Sequence, residues 1–240
     1  MVNPQHQVTF LTPPKEEFES QYKVVRDKEN RCLSDDQVKR LPHIDPSSPL
    51  VSEWKKRSWM LNKLETYLSL GAFENVLDIG CGNGWMTHKI SKYCQSAITG
   101  LDVGKEELEQ AARCFGSENI SFVCCSDWSL LPKEQYDLIY FAGSFHYFEP
   151  DTVFWDLLFS LLKPGGEIHI LETQFYEIEA VEAAQKRSKE YFEKVGAAVD
   201  YYQHLSWDVL PDTYETLYRP NKWNKVFRNR SPFPWIRMRK

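Results

Sequence analysis

The chain has 240 residues, 42% hydrophobic and 26% charged, with a formal net charge of −5. That length allows one substantial buried core with an appended cap and excludes two full-sized domains. No apolar run reaches the ~18–20 residues that span a bilayer, and the opening MVNPQHQVTF lacks a basic stretch followed by an apolar one, so a soluble, cytoplasmic protein with no membrane partner is expected. Six cysteines (Cys32, Cys81, Cys94, Cys114, Cys124, Cys125) form no C-x-x-C pair and several fall within apolar patterns, so buried thiols are expected rather than disulfides or a metal site.

The first 50 residues are polar and proline-bearing, yet Phe18, Tyr22 and Val25 recur at helical spacing and predict a short amphipathic helix. A second helix is expected after Ser52 as its cap, with Trp54, Leu61, Leu64 and Leu68 on one face. Together they predict an amino-terminal helical cap over residues 1–70. From residue 71 strand and helix patterns alternate: ENVLDIG, WMTHKISKYC, SAITGLDV, KEELEQAARCF, ISFVCCSD, YDLIYFAG, DTVFWDLLFSLL, the turn Lys163-Pro164-Gly165-Gly166, and EIHILET. Nearly continuous apolar strands are buried on both faces, as in parallel sheets covered by helices. A long helix is expected from Glu177 to Val195 with Val181, Ala184 and Val195 on one face, then an insertion at about 197–212, then YETLYR and FPWIRM as a carboxy-terminal hairpin. The predicted fold is an α/β three-layer sandwich over residues 71–240, built on a mostly parallel sheet with an antiparallel pair at its edge.

Charge is uneven. Arg219 to Lys240 holds 8 of the 29 basic residues and no acid, which leaves 21 basic against 34 acidic residues, or −13, in the rest. Trp223, Phe227, Phe233 and Trp235 interleave with those cations, the composition of a nucleic-acid surface. The alternative is a solvated edge hairpin with its aromatics turned inward, and the acidity of the remaining chain makes a nucleic-acid partner the less favoured expectation.

The most informative stretch is Val76 to Trp85, VLDIGCGNGW, with glycines at 80, 82 and 84 behind an apolar run. Three glycines so close call for positive φ or close backbone approach to a ligand. A dinucleotide fingerprint needs a third glycine where Trp85 stands. The G-x-G-x-G form, with Asp78 two residues ahead, instead resembles motif I of the class I S-adenosylmethionine methyltransferases. The resemblance runs from Asn75 to Thr173 through DIGCGNG, GLD, SDW, YDLIYFAGSFHYF and LKPGGEIHILE.

That resemblance implies a seven-stranded sheet of order 3-2-1-4-5-7-6 with the last strand antiparallel, S-adenosylmethionine as cofactor and S-adenosylhomocysteine as product. It implies a cofactor site at Asp78, Gly80, Cys81, Gly82, Asn83 and Gly84, in which Asp78 suits a cation. Asp102, 24 residues after Asp78 and followed by Val103, is placed to accept ribose hydroxyls at a strand end, or else caps the following helix. Ser126, Asp127 and Trp128 are the expected adenine side, with turn capping as the alternative for Asp127. Ala142 and Gly143 lie where donor and acceptor meet. His146 is a candidate to orient or deprotonate an acceptor, or else packs beneath the cofactor. Tyr147 and His204 are further candidates, and Tyr201, Tyr202 and Trp207 are expected either to wall the acceptor pocket or to be core. Tyr22, Trp54 and Arg57 are expected to close the site from the cap.

The stretch after the fourth strand lacks the Pro-Pro-aromatic pattern of enzymes that methylate base amines, the cysteine of cytosine C5 enzymes and the acids of polyamine sites. The expected activity is in-line methyl transfer to a small aromatic or apolar acceptor. Two alternatives remain: an RNA or protein acceptor engaged by the basic tail, and a cofactor-binding module without turnover. The oligomeric state stays open.

Overall fold

The computed structural model describes residues 7–197, 201–221, 224, 227 and 229–240. Strand β1 (Val8–Phe10) leads into helices α1 (Glu16–Lys28), α2 (Asp35–Arg40) and α3 (Val51–Leu68). The alternating part follows as β2 (Phe73–Ile79), α4 (Trp85–Ile90), β3 (Cys94–Asp102), α5 (Lys105–Phe115), β4 (Ile120–Cys124), β5 (Tyr136–Ala142), α6 (Thr152–Leu161) and β6 (Leu162–Leu171). Helix α7 (Ile178–Val195), β7 (Glu215–Tyr218) and β8 (Trp235–Arg239) come last.

The sheet runs β1-β4-β3-β2-β5-β6-β8-β7, parallel throughout except where β8 pairs with β6 and β7. From β4 to β7 this is the expected order. The correction is an eighth strand: Val8, Thr9 and Phe10 lie parallel to Phe122, Val123 and Cys124. Three residues are too few to show alternation, and only the neighbouring edge of β4 makes them a strand.

Side chains alternate across the sheet and feed two cores. Val76, Ile98, Phe122, Leu138 and Tyr140 pack with α3, α4 and α5, while Leu77, Ile79, Leu101, Ile139, Phe141 and Ile168 pack with α6. Burial on both faces is why these strands read as continuous apolar runs.

Local differences have local causes. Ser52 lies inside α3, whose cap is Leu50 without a side-chain bond. The short helix α2 was not expected, although Ser34 and Gln37 form a capping box with each other's backbone. The Lys163–Gly166 turn is an excursion within β6, since the register with β5 steps from Tyr136 opposite Leu162 to Leu138 opposite Glu167. In the tail Trp235 is buried and Phe227 is exposed. Trp223 lies outside the described residues, as do 198–200 of the expected insertion. Cys81, Cys124 and Cys125 are buried, Cys94 and Cys114 half-buried, and Cys32 exposed.

Candidate functional site

A cavity of about 770 Å³ sits at the carboxyl ends of β2, β3, β4 and β5, roofed by α1 and flanked by Trp54 and Arg57 of α3. Ligand crevices of doubly wound sheets lie at these strand ends. Its floor is backbone. At Gly80, φ is +75° and a Cβ would lie 2.3 Å from Ser144 Cβ, so neither conformation nor space admits a side chain. At Gly84, φ is +73° and a Cβ would lie 2.7 Å from the Phe122 ring. Gly84 is therefore a packing glycine, behind the cavity rather than on its wall.

Asp102 fastens the glycine turn to the end of β3. Its Oδ2 accepts the Gly82 N–H at 2.8 Å, and its Oδ1 accepts those of Val103 at 2.7 Å and Gly104 at 3.1 Å. Burial raises its pKa while the three amides oppose the rise. Oδ2 takes part in one of these bonds, which leaves it further acceptor capacity. Gly80, Cys81, Gly82, Asn83, Asp102 and Val103 all line the cavity.

Asp78 does not. It is 1% exposed beneath the turn, where Thr87 Oγ1 donates to its Oδ2 at 2.6 Å and Tyr140 Oη at 2.8 Å. Burial pushes its pKa up to about 7 despite those two bonds. The side chain braces the strand-to-helix turn from below.

Ser126, Asp127 and Trp128 form the next part of the wall. Asp127 Oδ1 also accepts from the Ser129 N–H at 3.0 Å and hydroxyl at 2.6 Å, so it caps the turn and faces the cavity at once. Trp128 is anchored against Phe148 and Phe154, with ring centroids at 5.1 and 5.4 Å. After β5, Ala142, Gly143 and Tyr147 line the cavity, and the Ser144 hydroxyl ties this loop to the Ile79 carbonyl at 2.5 Å.

His146 and His204 lie off the wall. His146 sits between the rings of Tyr147 and Tyr202, at 4.3 and 4.4 Å, and burial pulls its pKa down to about 3. His204 Nε2 is paired with Ser188 Oγ at 2.7 Å, under α7. Of the three residues singled out for acceptor chemistry, only Tyr147 meets the cavity. Its pKa is raised by burial, so at neutral pH it is a hydrogen-bond donor.

The roof is built from side chains. Phe18, Tyr22 and Arg26 follow one another at i, i+4 and i+8 along α1 and line the cavity together with Tyr201. Phe18 lies 4.7 Å from the Tyr201 ring, and Tyr22 6.0 Å from Tyr147. Arg26 reaches Glu107 of α5 at 3.3 Å. Sequence reading missed Arg26 and Glu107, although a cation extending the Phe18–Tyr22 stripe by one turn was the available signal. Tyr22, Trp54 and Arg57 stand where they close the cavity from the cap.

Residues 76–166 match a family model described as a methyltransferase domain. Over these residues the chain is similar to that family. Malonyl-[acyl-carrier protein] O-methyltransferase 2 of Ilyobacter polytropus is 35% identical over 96 residues, which cover 39% of this chain and 37% of that protein. The chain spans only about a third to a half of the length of the curated relatives it matches first. An S-adenosylmethionine-dependent methyltransferase of Mesorhizobium loti superposes with a TM-score of 0.54 at 17% identity, covering 79% of this chain and 98% of that one. Phosphoethanolamine N-methyltransferase 2 of Haemonchus contortus, solved with S-adenosyl-L-methionine, gives 0.54 at 14% identity over 88% and 47%. Both structural likenesses concern the fold. Among the described residues no helix is long and apolar enough to cross a membrane.

Proposed function

We propose that this protein transfers the methyl group of S-adenosylmethionine to a small acceptor and releases S-adenosylhomocysteine. The observation that carries the reading is the cavity itself, with Asp102 on its wall at the end of β3. Its parts fit the cofactor. Asp102 Oδ2 keeps acceptor capacity for a ribose hydroxyl, Asp127 and Trp128 offer a polar edge and a flat face to a base, and the Gly80–Gly82 backbone permits close approach. Arg57 lines the cavity, and its guanidinium suits the methionyl carboxylate. When bound, the cofactor supplies a methyl group activated by its sulfonium.

The remaining work falls to alignment and exclusion of water. Positioning two reactants for in-line transfer supplies a large share of the acceleration. Phe18, Tyr22, Tyr147 and Tyr201 make a ring-lined compartment against which a small aromatic or apolar acceptor is held, with the Tyr147 hydroxyl as a donor to it. His146, uncharged and packed among rings, supports Tyr147 in this scheme and takes no proton from the acceptor. On this reading the chain divides into a cap, 1–70, which also lends β1 to the edge of the sheet, and a catalytic unit, 71–240, in the cytoplasm.

A nucleic-acid acceptor is less favoured because, among the described residues, four of the tail cations have partners within the chain. Arg239 pairs with Glu167 at 2.8 Å, Arg237 with Glu215, Lys240 with Glu134 at 3.3 Å, and Arg219 covers Trp207.

Calorimetry tests the cofactor half: micromolar affinity for S-adenosylmethionine, weakened at least ~10-fold by Asp102→Asn, corresponding to loss of one charge-assisted bond. No heat, or an unchanged affinity in the variant, would overturn it. Release of S-adenosylhomocysteine across a panel of aromatic and carboxylic acceptors tests the transfer half, and tight cofactor binding without any release would mark a non-catalytic module.

A further inference from the structure

Glu172, which ends the LKPGGEIHILE stretch but was given no role there, follows the last residue of β6 with φ +56°, a conformation disfavoured for a side chain of its size. It is 8% exposed. Its Oε1 is closed off without a hydrogen-bond partner among the described residues, and its Oε2 lies 3.4 Å from Arg57 Nε. A buried carboxylate with one ion-pair partner and a strained backbone works against local stability, and such strain concentrates at functional sites.

Its neighbour explains the placement. Arg57 is approached on its Nε edge by Glu53 at 3.2 Å and by Glu172 at 3.4 Å, and its guanidinium lies 5.1 Å from the Trp54 ring. Glu53 is heavily committed already, because both of its oxygens receive Arg31 at 2.6 Å. Glu172 is therefore the carboxylate that serves Arg57 alone among the described residues. Gly143 gives the pair room, since a Cβ there would lie 3.4 Å from Glu172 Oε2 and 3.7 Å from Arg57 Nη2. Among the described residues neither Nη atom has a hydrogen-bond partner, and Arg57 lines the cavity. A guanidinium held by Nε with its two Nη atoms free is a fork shaped for a carboxylate.

We propose that Glu172 is a positioning residue: it fixes Arg57 by the Nε edge so that the Nη fork receives the carboxylate at the methionyl end of the cofactor. The inference rests on the cofactor reading above and adds a residue to it. The negative charge of Glu172 by itself disfavours a second carboxylate nearby, so charge and positioning predict opposite signs when Glu172 is neutralised.

Calorimetry with two ligands separates them. S-adenosylhomocysteine carries the amino acid end, whereas 5′-methylthioadenosine shares only the adenosyl thioether. Glu172→Gln is expected to weaken S-adenosylhomocysteine about 10-fold, the size of one charge-assisted bond, and to leave 5′-methylthioadenosine within about twofold. Glu172→Asp, which keeps the charge, recovers part of the loss and guards against a variant that folds poorly. In an Arg57→Gln background, Glu172→Gln changes neither ligand further, because the two residues act as one unit. Unchanged or tighter S-adenosylhomocysteine binding in Glu172→Gln overturns the proposal, as does equal weakening of both ligands. Wild-type protein that binds neither ligand removes the cofactor reading itself, which distinguishes the two failures.

Discussion

The two walls of the cavity are built on different principles. The floor, at the ends of β2, β3 and β4, is made of backbone turns whose amides are occupied by Leu101 and Asp102. The roof is made of side chains from α1, α3 and the segment at Tyr201, held by ring contacts and ion pairs. No residue of α1 is fully buried. On the proposed function the floor holds the cofactor, while the roof tolerates variation and is suited to deciding which acceptor enters.

On that contrast, floor substitutions act first on stability and roof substitutions first on turnover. Gly80→Ala is the largest break, since it adds left-handed strain of ~1–2 kcal/mol to overpacking of ~1–3 kcal/mol. Denaturant unfolding should show a loss of about 2–5 kcal/mol, with cofactor binding abolished.

Asp78 sharpens the floor through pH. Its folded pKa of about 7 stands above the ordinary 3.8, so the stability it contributes is complete below that lower value and is lost as pH rises through about 7. Every tenfold gain in proton affinity on folding corresponds to about 1.4 kcal/mol. Asp78→Asn keeps an acceptor for Thr87 and Tyr140, and its unfolding free energy should lack this decline; a variant that follows the wild-type profile would contradict the assignment.

On the roof, Phe18→Ala removes ring contacts with Tyr22, Tyr147 and Tyr201. Stability should fall by only about 1 kcal/mol. The KM for the acceptor should rise while the affinity for S-adenosylhomocysteine holds, and a variant that loses both equally would erase the distinction between the walls. Smallest of all is Lys23→Ala, which removes an exposed pair with Glu106. Such pairs are screened and offset by side-chain entropy, so no change in Tm is expected at physiological salt.

The floor was legible in the sequence because its causes are local. Glycines at 80, 82 and 84 announce backbone that must turn where side chains do not fit, and Asp102 follows at the end of the next apolar run. Local reasoning also misplaced residues: Asp78 and Gly84 belong to the same decapeptide as Gly80, yet the strand-to-helix turn carries them behind the cavity. His146 carried the chemistry expected of an acceptor site, but the aromatic residues around it came from Tyr202, 56 positions away in a segment whose packing no period reveals.

Sequence alone determined the alternating strands and helices and the glycine turn at their carboxyl ends, because periodic burial and backbone sterics act between near neighbours, while the order of the seven strands from β4 to β7 came from the resemblance that the motifs carry. Only the tertiary structure decided that Val8–Phe10 is a strand, that Arg26 meets Glu107 81 positions away, and that Glu172 stands behind Arg57. Those pairings depend on where the packed sheet carries distant segments, and side-chain charges that look merely solvated along the chain acquire partners only once that packing is made.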